Sequence, residues 1–148
     1  MQSKNNRRLS IAASVAWMAL IFRFSSEVKA QSSARSGEIV AKLHPYLMGV
    51  PEGLLEFLVR KSAHIGLYFV LGVLVCNVLR YYIHDAKKLL MWSMVWVSGY
   101  AALDEIHQLF VPGRSGEVRD VLIDSVAGLV GIGAYWLIKN KRGTSSSS

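Results

Sequence analysis

The chain has 148 residues, of which 52% are hydrophobic and only 18% charged, with a formal net charge of +7 and a mean hydropathy of +0.31. That is too apolar for an average soluble domain, and the single cysteine excludes an intrachain disulfide. The excess of positive charge reads as membrane topology and attraction to lipid headgroups, because no nucleic-acid motif or continuous basic helix accompanies it.

The first apolar block runs from Leu9 to Phe24 and predicts a helix over about 9–25. A basic leader (Lys4, Arg7, Arg8) and the stretch Val28-Lys29-Ala30 also suit a cleaved signal peptide. Arg23, placed between the apolar stretch and that cleavage site, favours a retained helix. The connection from Ser25 to Arg60 is long, and "SGEIVAKLH" and "PEGLLEFLVR" space their apolar residues helically, with Pro45 and Pro51 as breakers. Short amphipathic helices lying in the outer membrane interface are expected there.

Ser62 to Leu79 contains no Asp, Glu, Lys or Arg, and predicts a second spanning helix over about 61–82, with Cys76 as a small apolar packer. Leu89 to Leu103 is equally free of charge and continues through Asp104 and Glu105 to Val111, for a third helix over about 88–111. Val121 to Ile138 is broken only by Asp124 and gives a fourth, about 119–139, followed by a disordered polar tail over 140–148. The last three blocks each reach the roughly 17 to 25 residues that span a bilayer core. The expected fold is an all-α membrane protein, one domain over 1–148, with four transmembrane helices and interfacial helices between the first and second.

Four spans put both termini on one side. The terminal segments and the 80–88 turn hold nine of the 17 Lys and Arg residues in short segments, which places both termini in the cytoplasm. Tyr81, Tyr82, Trp92, Tyr135 and Trp136 fall near the same helix ends, where interfacial aromatics belong.

Five of the ten carboxylates, Asp104, Glu105, Glu117, Asp120 and Asp124, lie within 21 positions, between apolar runs. Short turns bring the start of the second helix, the end of the third and the start of the fourth to one membrane face. Lys61, His64 and Tyr68 share a helix face by spacings of three and four, as do Asp104 and Gln108, with Glu105 on their flank, and Asp120 and Asp124. Gly128, Gly131 and Ala127 let a neighbouring helix come close. One polar extracytoplasmic pocket at the three helix ends accounts for the gathering.

Four stretches carry a family resemblance: "FSS" with the Ser-rich run over 24–36, "RKSAHIGLYFVLG" at 60–72, "LDEIHQLFVPGR" at 103–114 and "RDVLIDSVAGLVG" at 119–131. Together and in this order they resemble the VanZ-like integral membrane proteins over nearly the whole chain. The resemblance implies a small bacterial membrane protein of the cell envelope, in a family whose namesake is associated with teicoplanin (glycopeptide) resistance. Recurring family positions fall on Arg60, Lys61, His64, Tyr68, Asp104, Glu105, Gln108, Pro112, Gly113, Arg114, Asp120 and Gly128. Some members carry an acyltransferase label, but nothing here resembles a coenzyme A or nucleotide site.

The functional expectation is a pocket that binds a membrane lipid or lipid-linked cell-wall precursor. Arg60, Lys61 and Arg114 would take phosphate charge, while Tyr68, Gln108, Asp120 and Asp124 complete the ligand-binding set. A second class is an enzyme on such a substrate, with His64, Asp104 or Glu105 in acid–base catalysis. A metal variant would use Asp104, Glu105, Asp120 or Asp124 around a divalent cation bridging a phosphate, although no compact zinc or phosphate motif is present. A third reading is structural, with Asp104, Glu105 and Arg114 as interhelical ion pairs. Polar residues concentrated at one face argue against a transporter or proton relay. The sequence names no cofactor, no metal and no oligomeric state.

Overall fold

The computed structural model describes residues 4–47 and 49–144. Five α-helices follow in order: α1 (Lys4–Ser25), α2 (Lys29–Leu43), α3 (Glu52–Leu79), α4 (Ala86–Gln108) and α5 (Val118–Thr144), with a short 3-10 turn at His44–Tyr46 after α2. No strand occurs among the described residues.

Two helices depart from expectation. The segment "PEGLLEFLVR" is not a separate interfacial helix: past Pro51 nothing breaks the helix, and Arg60 and Lys61 are good helix formers, so α3 runs unbroken for 28 residues. At 1.5 Å per residue it is about 42 Å long against a hydrocarbon core of about 30 Å, leaving a surplus at its ends. His64 is thus three turns from the helix start instead of one. α5 continues to Thr144, so the first part of the expected tail is helical, and 145–148 lie outside the described residues.

By length and apolarity three helices can cross a membrane, over Lys4–Ser25, Glu52–Leu79 and Val118–Lys139, with mean hydropathies of 1.3, 1.9 and 1.9. Three of the four expected spans meet this criterion, and α4 falls short of it. Lys87, Lys88, Asp104, Glu105, His107 and Gln108 lie at its ends, and indole and phenol rings (Trp92, Trp96, Tyr100) replace aliphatic side chains along its length.

Packing explains how the helices hold together. α3 and α5 form the closest pair, with the Gly72 backbone against that of Gly128 and Gly131 against the Phe69 carbonyl, so that a Cβ at Gly72 or Gly131 would collide with main chain and one at Gly128 with the Val97 side chain of α4. Small residues allow this contact between apolar helices where burial from water supplies little force. α4 closes over both, burying Leu89, Ser93, Val97, Ala101, Asp104, Glu105 and Gln108 along one stripe. α1 is pinned to the bundle by hydrogen bonds: Trp17 Nε1 donates to the Leu67 carbonyl at 2.9 Å, Asn77 Nδ2 to Ser10 Oγ at 2.9 Å, and the Tyr100 hydroxyl to the Met18 carbonyl at 2.6 Å. α2 lies on the N-terminal half of α3 with Ser36 and Val40 turned inward.

Candidate functional site

The three helix ends do meet, and each of the gathered carboxylates has its own environment. Asp104, 4% exposed, accepts a 2.7 Å hydrogen bond from the Ser25 hydroxyl at the end of α1. The fully buried Tyr68 hydroxyl lies beside Asp104 without completing a bond to it, and Asp104 Oδ1 has no partner among the described residues. Glu105 accepts the Glu117 backbone N–H at 2.9 Å and a bond from Gln108 Nε2 at 3.3 Å. A carboxylate on the N–H just ahead of α5 complements the positive end of that helix. Gly116 is required beside it, since a Cβ there would press on the Glu105 carbonyl and the Leu109 side chain.

Asp120, in the first turn of α5, forms an ion pair with Lys61 of α3. One turn deeper, Asp124 is 2% exposed and its Oδ2 stands 3.8 Å from His64 Nδ1, with no hydrogen-bond partner. Asp104, Glu105 and Arg114 form no ion pair with one another; the interhelical pair present at this face is Lys61 with Asp120. Among the described residues no group of three or more His, Cys, Asp or Glu is placed to hold a metal ion.

The turn that stops α4 delivers Arg114. Pro112 and Gly113 occupy its centre, the Arg114 N–H returns to the Val111 carbonyl at 3.0 Å, and Gly113 has φ 77°, a conformation a side chain disfavours. The guanidinium donates from Nε to the Glu27 carbonyl at 3.1 Å and from Nη2 to the Phe24 carbonyl at 3.4 Å, closing the end of α1. Burial pulls the Arg114 pKa down, the nearby Arg60 charge pulls it further, and Glu27 opposes both. It remains a cation. Arg60 has no acceptor among the described residues.

Two cavities open here. A polar one of about 180 Å³ is lined by Arg60, Lys61, His64, Gln108, Arg114 and Asp120 among others. An apolar one of about 360 Å³ shares Arg60, His64 and Arg114 with it. Tyr68, Asp104, Glu105 and Asp124 sit behind the polar cavity, in the packed layer, and do not line it.

Three contributors escaped the sequence reading of the site. Ser25 holds Asp104, Ser26 Oγ lies 3.0 Å from His107 Nε2, and the Glu27 carbonyl receives Arg114. The "FSS" motif was their signal: it clasps the end of α1 onto α4.

Apolar helices of bilayer length, bundled around a charged cavity at one end, define a membrane protein. The VanZ/LLP1 family model matches residues 10–139, and the chain belongs to that family. No curated protein and no solved structure matches it.

Proposed function

We propose that the polar cavity binds the anionic headgroup of an envelope lipid or lipid-linked cell-wall precursor on the extracytoplasmic face. The observation that carries this reading is the juxtaposition of Arg60 and Arg114 at the cavity. Two guanidinium groups held together repel one another, and an anion between them relieves that repulsion with bidentate geometry. Lys61 is already neutralised by Asp120, so Arg60 and Arg114 take the larger share. In this reading α4 crosses the membrane with the other helices, its polar residues turned toward α3 and α5, and both termini are cytoplasmic. Protection against teicoplanin would follow from holding or screening such a precursor.

Native mass spectrometry of the purified protein in mild detergent tests the proposal. A co-purified phosphate-bearing lipid is expected on the unaltered chain and lost from Arg60→Gln. A ligand-free spectrum of a folded, active-in-cells protein would overturn it.

A second reading, an enzyme on the same ligand, is favoured by His64 and Asp124. A buried carboxylate 3.8 Å from Nδ1 can orient the imidazole, and the His64 ring lines both cavities. Asp104 and Glu105 would then be supporting carboxylates close behind it. His64→Gln that keeps lipid binding but loses the cellular phenotype would favour the enzyme; parallel loss of both would favour binding alone.

A further inference from the structure

The larger cavity is a groove between α1, α2 and α3, with walls that include Trp17, Val59, Ala63, Gly66, Leu67 and Val70. Its volume, about 360 Å³, lies at the lower end of the range for ligand pockets. Gly66 is the residue that raises the question. Gly72, Gly128 and Gly131 are each required by a close neighbour, whereas a Cβ on Gly66 would meet nothing within 4 Å; the same holds at Gly37, Gly53, Gly99 and Gly133, but of these Gly66 is the one that lines this groove. A glycine inside a helix costs about 1 kcal/mol relative to alanine, and here no protein contact offsets that cost. Beside it Ala63 is also small, and the Trp17 ring is fixed as the facing wall by its bond to the Leu67 carbonyl.

The polar end of this groove is cationic. Arg60, His64 and Arg114 belong to both cavities. The other charges along it are Glu27 and Arg35, which pair with each other at 2.6 Å, with the Arg35 guanidinium also resting 5.1 Å from the Phe24 ring centroid. The unneutralised charge therefore sits at one end, and the rest is mostly hydrocarbon, with Ser32 and Ser36 on the α2 side.

We propose that the groove is the tail half of the headgroup site: the ligand is a phosphate-bearing amphiphile, one hydrocarbon chain of which lies along Ala63, Gly66 and Val70 while its phosphate meets Arg60 and Arg114. This inference rests on the headgroup reading given above and adds the chain and its place.

The test uses the full chain in nonionic detergent with two probes, dodecyl phosphate and inorganic phosphate, and compares unaltered protein with Gly66→Phe, Ala63→Phe and Arg60→Gln. Filling the groove through Gly66→Phe or Ala63→Phe weakens dodecyl phosphate by about tenfold or more and leaves inorganic phosphate unchanged. Arg60→Gln weakens both. If the two filling variants bind dodecyl phosphate as the unaltered chain does while Arg60→Gln still weakens it, the tail proposal is wrong and the headgroup reading survives. If Arg60→Gln changes neither probe, the headgroup reading fails, and the amphiphile proposal with it. Gly66→Ala, which adds a methyl into open space, checks the fold, and the two filling positions give independent variants should one fail to fold.

Discussion

Ser25, the last residue of α1, donates a 2.7 Å hydrogen bond to Asp104 Oδ2 on α4, across 79 positions of sequence. Ser25 is 1% exposed and Asp104 4%, so water cannot replace a lost partner. Ser25→Ala should therefore cost about 1–3 kcal/mol, the range for leaving a buried polar group unsatisfied. Asp104→Asn, which still offers an oxygen to Ser25, should cost less. Thermal unfolding of both variants in detergent checks the order; a larger loss for Asp104→Asn would show that the carboxylate serves a partner other than Ser25.

Glycines in the bundle should divide into two kinds. Gly131→Leu forces a side chain against the Phe69 backbone and should destabilise by at least the 1–3 kcal/mol typical of overpacking. Gly66→Ala should raise stability by about 0.4–1 kcal/mol, since it restricts the unfolded chain and meets no obstacle. Equal effects at the two sites would contradict the packing described for α3 and α5.

Lys61 and Asp120 should be coupled. Their side chains are 17% and 19% exposed, so each is only partly wetted, and removing one leaves the other charge poorly solvated. In a cycle of Lys61→Met, Asp120→Asn and the double variant, the two single losses should exceed the double loss by about 0.5–3 kcal/mol. Simple additivity of unfolding free energies would remove this pair from the forces that align α3 with α5.

The path of α4 can be read with thiol labelling on a Cys76→Ala background. If α4 crosses the bilayer, a cysteine at Ser115 should react with an impermeant reagent in intact cells and one at His84 should not. Reaction at both positions would leave α4 on one side of the membrane. Reaction at His84 alone would place the polar cavity in the cytoplasm.

The site was legible where spacing along one helix decided it. Lys61, His64 and Tyr68, or Asp120 and Asp124, share a face whatever surrounds them, and short turns leave three helix ends little choice but to meet. Features that depend on distant chain segments were not legible. Nothing near Arg114 in sequence indicates that two of its donors go to carbonyls at the end of α1, and nothing near Asp104 names Ser25. The extent of α3 was missed for a different reason: the charged pair Arg60-Lys61 resembles a membrane boundary, but a change of solvent does not end a helix, and only Pro51 does.

The contact between α3 and α5 has a mechanical meaning. Both helices run the same way from the charged face, and Lys61 meets Asp120, His64 faces Asp124 and Gly72 touches Gly128 in ascending order. With backbones meshed at the glycines, neither helix can slide past its neighbour by a fraction of a turn, because the next side chain would strike main chain. The pair has one gear setting. Its charged end is therefore held as a fixed jaw, and an opening that admits a molecule falls to α1 and α2, which meet α3 without such meshed glycines.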